Sequence, residues 1–342
     1  MSTTSTKPVA ATDENKAGLS QGQIVRRRFL GNTAAVISLV VFALILLIAY
    51  SSSGMFGLPG WWKYTHNGVN DLVDGGRPTL QLFPMSLGEH PFGQDRLGRD
   101  TFAQTMRGVQ ISVAVMFLIG LVGGAIGVVI GALSGYFRGW VETVLMRLTD
   151  VVIVIPLIII AAVMGQVAGR AVGADVQPYF LGLFVGAVVW TGLARLVRAE
   201  FLSLREREFV DAARIAGASN ARIIFKHILP NAVGVIIVSV TLSMSAAILL
   251  ETSLSYIGMG VKAPDVSLGS LISQNQEAFQ TRPWLFWWPG LFIVAICLCI
   301  NFIGDGLRDA FDPRQKKFNA KKAKAAAVSA HPETGPTQTS GV

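Results

Sequence analysis

Six separated apolar runs are the feature that most limits what this chain of 342 residues can fold into. A helix needs about 20 apolar residues to cross the roughly 30 Å hydrocarbon core of a bilayer. The third and fourth runs are short for a full crossing, so we expect their helices to extend through Thr149 and Asp150 and through Ala194. The sequence therefore predicts an all-α membrane protein with six transmembrane helices, and its apolar runs are residues 34–50, 111–134, 151–164, 180–193, 232–250 and 285–303.

Basic residues predict the orientation of these helices. Six crossings place both termini on one side of the membrane. With cytosolic termini, 21 of the 29 Lys and Arg residues lie on the cytosolic side and 8 lie outside, as the positive-inside rule requires. We therefore expect a multi-pass protein of the plasma or inner membrane with cytosolic N and C termini. The net charge of +8 comes largely from these flanks, so it indicates contact with the lipid bilayer and no binding of nucleic acid.

Composition also predicts the domain boundaries. Both ends of the chain are polar and contain too little apolar surface to form a core. We therefore expect a mostly disordered cytosolic tail at residues 1–29 and a second disordered cytosolic tail at residues 315–342. The six-helix domain then occupies residues 30–314. Within that domain, residues 51–108 form an extracellular segment and residues 199–231 form a cytosolic loop.

The cytosolic loop contains a charged, helix-forming sequence, FVDAARIAGASNARIIFKHILPN, at residues 209–231. Its alanines favour helix, and Gly217 permits the chain to turn. Ser219 or Asn220 can cap a second helix, which we expect to end at Pro230. The pattern predicts a short helix, a bend and a second short helix, an arrangement suited to docking onto a cytosolic partner.

This sequence resembles the EAA loop of ATP-binding cassette (ABC) importer permeases, in which a short helix docks into a groove on the motor ATPase. Asp211 stands where that family usually has Glu, which shortens the reach of the carboxylate by one methylene. The resemblance implies that the ATPase-coupling residues are Asp211, Ala212, Ala213, Gly217, Ala218, Ser219, Leu229 and Pro230.

Three further motifs indicate a narrower family. HPFGQDRLGRD at residues 90–100 resembles the HPxGTDxxGRD signature of the dipeptide, oligopeptide and nickel permeases, with Gln94 in place of Thr. ETSLSYIGMGV at residues 251–261 and NFIGDGLRDAFDPR at residues 301–314 are similar to that family and follow in the same order. The resemblance covers about residues 25–314, and the C-type permease of the two paired permeases is the nearer likeness.

The resemblance implies a type I ABC importer permease fold. It also implies a permease subunit of an ATP-driven dipeptide or oligopeptide importer, which forms half of the translocation pathway. The expected partners are a second homologous permease, two ATPase subunits or domains, and an extracellular substrate-binding protein. Import of nickel or a nickel chelate is the alternative, because the same architecture serves that cargo.

The motifs of catalysis are missing from the sequence. It has no GxxxxGK[ST] phosphate loop, no HExxH, no GxSxG and no CxxC, and its four His residues are scattered. We therefore expect no catalytic residue, no metal site and no cofactor on this chain, with ATP and Mg bound by partner subunits. More remote alternatives are a scaffold and a membrane-embedded enzyme that uses Asp150 and Glu251 as paired carboxylates.

Two features inside the spans are further candidates. Glycines four residues apart on the second span let another helix approach closely, either within the bundle or on a second subunit. Glu251 closes the fifth apolar run, where a carboxylate is costly unless it faces water, a partner or the bundle interior. It is either a residue that lines the pathway or an interfacial residue capped by Thr252 or Ser253. The predicted packing glycines are Gly120, Gly124, Gly127 and Gly131.

Overall fold

The computed structural model describes residues 21–54, 59–81, 86–173 and 175–312 of the chain, and these residues contain α-helices and no β-strand. The helices are α1 (Gln21–Leu30), α2 (Thr33–Ser53), α3 (Thr101–Phe137), α4 (Gly139–Val154), α5 (Leu157–Ala171), α6 (Gln177–Val189), α7 (Thr191–Arg205), α8 (Glu208–Ile215), α9 (Asn220–Arg222), α10 (Leu229–Tyr256), α11 (Leu268–Asn275) and α12 (Trp284–Phe311).

Helix α1 lies within the region that the sequence assigns to the N-terminal tail. The Phe29 ring lies against Gly306 of α12, and the Arg28 guanidinium donates a hydrogen bond of 3.5 Å to the Ala310 carbonyl. These contacts explain why residues 21–29 are helical although their composition is polar. The rest of the predicted N-terminal tail and the predicted tail at residues 315–342 lie outside the described residues.

Six membrane spans are present among the described residues if each bent helix pair counts as one. Four spans are continuous: α2, α3, residues Asn220–Tyr256 and α12. The other two are pairs, α4 with α5 and α6 with α7, which bend by 80° and 43°. The prediction of an all-α protein with six spans is confirmed, and the two short apolar runs correspond to the two bent pairs.

The sharper bend has a local cause in the sequence. Pro156 has no N–H, and its ring disfavours the helical conformation at the preceding residue. Ile155 accordingly has φ −79° and ψ 123°, which is extended backbone. The third span therefore consists of two helices, and Thr149 and Asp150 belong to the first of them.

The predicted helix end at Pro230 is wrong. Residues Ile223–Ile228 form a wide π-helical turn, and the helix continues through Pro230 as α10. A proline ring clashes with the carbonyl four residues earlier in a regular α-helix, and a wider turn relieves that clash. The Asn231 side-chain amide donates a 2.7 Å hydrogen bond to the His227 carbonyl, one of the groups in this turn.

The glycines of α3 lie on two faces, and both faces pack against helices of this chain. Gly120 and Gly124 face Met244 and Val240 of α10. Gly127 faces Leu193 on α7, and a Cβ at Gly127 would lie 3.0 Å from the Trp190 carbonyl oxygen. Gly131 lies closer to the backbone of α7, because a Cβ there would lie 2.6 Å from the Ala194 carbonyl oxygen. Close approach of these backbones places α3 between α7 and α10.

Replacing Gly131 with Val is expected to destabilise the α3–α7 contact by about 2 kcal/mol, within the usual range for overpacking. The added Cβ would meet a carbonyl oxygen and the Cβ of Val197, and neither atom can move without moving the helix. Thermal unfolding in detergent measures the loss. Gly192→Val is the matched control, because Gly192 is exposed on α7 and has no atom within 4 Å of its Cβ position; equal losses in the two variants would contradict this account.

Candidate functional site

The cytosolic loop folds as a helix that ends at a glycine turn. Gly217 follows α8 with φ +75°. Its N–H donates to the Arg214 carbonyl at 2.9 Å, and the Ala218 N–H donates to the Ala213 carbonyl at 3.0 Å. This pair of bonds is the Schellman arrangement, in which a glycine with positive φ ends a helix. The predicted bend is therefore present at Gly217.

The second helix of the loop is capped by Ser219, one of the two residues that the sequence offered for this role. The Ser219 hydroxyl oxygen accepts from the Arg222 N–H at 3.4 Å. The Asn220 side chain has another partner, since it accepts a 2.8 Å hydrogen bond from the hydroxyl of Tyr136 near the end of α3. The loop is thereby joined to the second span as well as to the fifth.

The inner face of the loop packs on the bundle. Val210 and Ala213 of α8 are buried in an apolar cluster with Phe201, Ile223 and Ile228. Of the predicted coupling residues, Ala213 therefore faces the bundle, and Leu229 is half-buried in α10. The others are exposed or half-buried around the turn: Asp211, Ala212, Gly217, Ala218, Ser219 and Pro230.

The outer face of the loop is apolar at two places that sequence reasoning missed. Ile215 is 89% exposed and Phe225 is 69% exposed. Ile215 is the last residue of α8, and Phe225 lies within the π-helical turn at Ile223–Ile228. Large apolar residues in a loop rich in charged side chains were the available signal. Asp211 forms an ion pair with Arg214, whose guanidinium lies 3.0 Å from the carboxylate.

Polar contacts join the docking loop and α7 to the chain segment that enters the third span. Three of them are ion pairs with partly exposed groups, which contribute little to stability singly but fix geometry when they act together. The contacts join Arg195 to Asp150 at 2.7 Å, Arg198 to Glu142, Arg205 to the carbonyl of Tyr136, and Glu206 to Arg138 at 2.7 Å.

The extracellular segment is ordered around one fully buried carboxylate, Asp100. Its Oδ2 lies 2.6 Å from Nδ1 of His90, and its Oδ1 accepts from the Trp62 indole N–H at 3.1 Å. The same Oδ1 accepts from the Ala103 N–H at 2.7 Å, which caps the start of α3. Tyr64 stacks on His90 with ring centroids 4.4 Å apart. The His90 motif therefore holds the outer segment onto the second span.

Gln94, which stands where the family signature has Thr, is buried, and its side-chain amide makes three hydrogen bonds. Its side-chain carbonyl accepts from the Val73 N–H at 2.8 Å. Its amide donates to the carbonyls of Asp71 and Gly98 at 3.0 and 3.1 Å. A threonine side chain is too short and has too few polar atoms to make these three bonds. The substitution therefore joins two stretches of the outer segment.

His66 and Glu89 on the outer segment both have lowered pKa values. Burial, followed by the positive charge of Arg107, lowers the pKa of His66 below its ordinary value. A 3.0 Å hydrogen bond from Lys63 lowers the pKa of Glu89. The surface of this segment therefore keeps a charged Lys63–Glu89 pair at neutral pH.

Glu251 is held inside the bundle at the outer end of α10. It is 1% exposed. Its two carboxyl oxygens accept hydrogen bonds of 2.8 Å from Ser112 and 2.7 Å from Ser255. Neither Thr252 nor Ser253 supplies these bonds. The Ser112 hydroxyl also accepts from the Leu268 N–H at 3.2 Å, so in this conformation Glu251 joins α3, α10 and α11 and does not line an open surface.

Replacing Glu251 with Leu is expected to destabilise the protein by about 2 kcal/mol, because two buried serine hydroxyls lose their acceptor. Glu251→Gln is the matched variant, since its amide keeps an acceptor oxygen and the same shape. We expect a smaller loss in Gln than in Leu, measured by thermal unfolding in detergent. Equal unfolding temperatures for the two variants would show that these hydrogen bonds contribute nothing.

The described residues contain no group of three His, Cys, Asp or Glu side chains that could hold a metal ion. The two carboxylates of the enzyme alternative have separate partners. Asp150 pairs with Arg195 on α7, whereas Glu251 binds serines at the outer end of α10. The geometry therefore offers no shared acid–base site.

Six spans with a helix–turn–helix loop between the fourth and fifth agree with the fold of type I ABC importer permeases. The permease fold of the MetNI methionine ABC transporter, solved in an inward-facing conformation, is similar, with a TM-score of 0.51 at 22% identity over 61% of this chain and 96% of that chain. The chain belongs to the family described as binding-protein-dependent transport system inner membrane component, whose model matches residues 127–317.

Relatives and a second family model agree with this membership. The model of the N-terminal transmembrane domain of oligopeptide transport permease C matches residues 20–72. The oligopeptide transport system permease protein OppC of Mycobacterium tuberculosis is 37% identical over 299 residues, which cover 87% of this chain and 97% of the relative. OppC of Escherichia coli K12 is 36% identical over 87% of this chain and 93% of its own length.

Family membership gives the general role of the chain. It is a non-catalytic permease subunit, a multi-pass protein of the inner membrane, and it works with ATPase and other subunits of an ABC importer. The enzyme and scaffold alternatives are therefore set aside.

Proposed function

We propose that this chain is the C-type permease of an ATP-driven importer of dipeptides or oligopeptides. The observation that carries the proposal is similarity to named oligopeptide permeases over 87% of the chain. The match at residues 20–72 adds support, because it involves a model specific to oligopeptide permease C. The proposed partners are a second homologous permease, two ATPase subunits or domains that bind ATP and Mg, and an extracellular substrate-binding protein.

The geometry of the cytosolic loop supports a lever mechanism. Ile215 and Phe225 are exposed apolar side chains of the kind that a groove on an ATPase can cover. Closure of the ATPase pair would displace the loop that carries them. The inner face of the loop packs on α7, and the second helix of the loop continues without a break into α10. The displacement would therefore reach both the fourth and the fifth span. A tenfold shift between inward and outward access needs about 1.4 kcal/mol.

Uptake by purified complex tests this proposal. The chain is co-purified with its partners in mild detergent, reconstituted in liposomes, and supplied with ATP at the ATPase side and binding protein at the other. Accumulation of labelled peptide that depends on ATP is the expected result. Accumulation of radiolabelled nickel without peptide would mean that the importer architecture is right and that nickel, not peptide, is the cargo. Purification of the chain without any ATPase would contradict the proposal.

A further inference from the structure

Helix α1 packs on the bundle with one of its faces. Its half-buried residues are Ile24, Val25, Arg28 and Phe29. A helix turns by about 100° per residue, so these four residues lie together on one side of α1. Cε2 of Phe29 lies 3.3 Å from the Cβ position of Gly306 on α12. The opposite side of α1 stays exposed.

The exposed side of α1 carries two arginines with a leucine between them. Arg26 and Arg27 are exposed, and Leu30, one turn later, is 58% exposed. Seen along the helix axis, Leu30 lies about 40° from Arg26 and about 60° from Arg27. Neither arginine forms an ion pair with a residue that the structure describes. We call these three residues the basic face of α1.

The basic face lies just outside the hydrocarbon core of the bilayer. The apolar run of α12 ends at residue 303, and Phe29 packs on Gly306, three residues later. At about 1.5 Å per residue, Gly306 is about 5 Å beyond that run. The polar headgroup layer adds about 5–7 Å on each side of the core. Because the basic face lies within one helical turn of Phe29, it lies at the depth of the headgroups.

The cytosolic loop lies further from the bilayer than the basic face does. Near the end of α12, Cβ of Phe311 lies 3.0 Å from the Cβ position of Gly234, which belongs to the apolar run 232–250 of α10. Phe225 of the loop lies nine residues before Gly234 on the same continuous helix, which is about 13 Å further out. Phe29 contacts α12 five residues before Phe311, on the bilayer side of it. A partner that docks on the loop therefore does not account for the basic face.

The chemistry of the basic face fits an anionic phospholipid. A guanidinium donates two parallel N–H bonds to phosphate oxygens. Its apolar stem can lie along hydrocarbon while its charged end reaches the headgroups, and Leu30 between the two arginines supplies an apolar contact for an acyl chain. Helices that lie in the membrane interface combine basic and apolar residues in this way. A zwitterionic headgroup carries no net charge, so two positive charges favour an anionic lipid.

We infer that the basic face of α1 binds the headgroup of an anionic phospholipid, with Arg26 and Arg27 on the phosphate and Leu30 against an acyl chain. Since the other face of α1 packs on α12, the bound lipid lies beside the junction of the first and sixth spans. The inference requires a bilayer and does not depend on which cargo the importer carries.

Lipid binding by the purified complex tests the inference. The probe is phosphatidylglycerol, and phosphatidylcholine with the same acyl chains is the neutral reference. Mass spectrometry of the intact complex in mild detergent counts each bound lipid. The double variant Arg26→Gln with Arg27→Gln is expected to weaken the tightest binding of phosphatidylglycerol about tenfold or more, because each basic residue near an anionic headgroup strengthens binding about fivefold. Binding of phosphatidylcholine is expected to stay unchanged.

Two further pairs of substitutions serve as controls. Arg77→Gln with Arg96→Gln removes the same charge from two exposed arginines of the outer segment, and we expect this control pair to bind lipid as the wild-type complex does. Arg26→Lys with Arg27→Lys keeps both charges on α1, so most of the preference for phosphatidylglycerol should survive. Thermal unfolding gives a second readout, because a ligand that binds only the folded state raises the unfolding temperature. The rise with added phosphatidylglycerol should be smaller in the double variant than in the control pair.

Three results would overturn the inference. The first is equal affinity of the double variant and the control pair for phosphatidylglycerol. The second is equal binding of both lipids by the wild-type complex, since charge would then select nothing. The third is loss of an ATPase subunit from the double variant with lipid binding unchanged, because the arginines would then contact protein instead of lipid.

Discussion

Replacing Gly217 with Val is expected to reduce ATP-driven uptake at least tenfold while membrane insertion and assembly are preserved. Gly217 has φ +75°, and a β-branched residue in that conformation costs about 1–3 kcal/mol. No atom lies within 4 Å of its Cβ position, so the added side chain meets no neighbour. The whole effect therefore acts through the bend between α8 and Ser219, and about 1.4 kcal/mol suffices for a tenfold change in an access equilibrium.

The measurement compares uptake with ATP hydrolysis in the same liposomes. We expect hydrolysis to persist with little uptake, because the ATPase surface is kept and the orientation of the lever is changed. Gly217→Asn is the matched control, since Asn tolerates positive φ far better than Val. Coupled uptake by Gly217→Val at the level of Gly217→Asn would show that the bend does not transmit the motion.

Replacing Asp100 with Ala is expected to destabilise the outer segment and the start of α3 by about 4 kcal/mol or more. The loss combines a helix N-cap, which contributes about 1 kcal/mol, with buried hydrogen bonds to a carboxylate, which contribute about 1.5–3 kcal/mol each. His90 and Trp62 would lose their shared acceptor in a buried site. Thermal unfolding and protease cleavage of the outer segment in detergent measure the effect.

Two further variants show which part of the Asp100 interaction matters. Asp100→Asn keeps an oxygen that can cap α3 and removes the charge, so we expect an intermediate loss. Asp71→Ala is the control, because its side chain is exposed on the same segment. If Asp100→Ala unfolds at the temperature of Asp71→Ala, the buried carboxylate does not hold the segment.

The elements that were predicted correctly depend on local chemistry. The spans follow from the length and hydropathy of each apolar run, which the bilayer selects regardless of neighbours. The helix, bend and capped helix of the cytosolic loop follow from alanine propensity, a glycine at the turn and a serine after it. Each of these signals acts over a few residues, so the order of residues alone is sufficient.

The misplaced helix end at Pro230 shows where local rules fail. Proline normally ends a helix, but here the widened turn at Ile223–Ile228 accommodates its ring and the helix continues. Ile223 and Ile228 are buried against α7 and α8, and that burial holds the turn in place. Packing between distant segments thus outweighs a local preference of the backbone.

The order of residues is enough for the membrane class, the six spans, the helix–bend–helix of the loop and the family resemblance. The orientation of the spans and the docking role of the loop stay predictions. The faces that those elements present are visible only in the folded bundle: Ala213 lies inward, Ile215 and Phe225 lie outward, and Glu251 lies between two serines. The reason is physical. Hydropathy and turn chemistry are properties of neighbouring residues, whereas burial and hydrogen-bond partners depend on segments that lie far apart in the chain and meet only in the folded bundle.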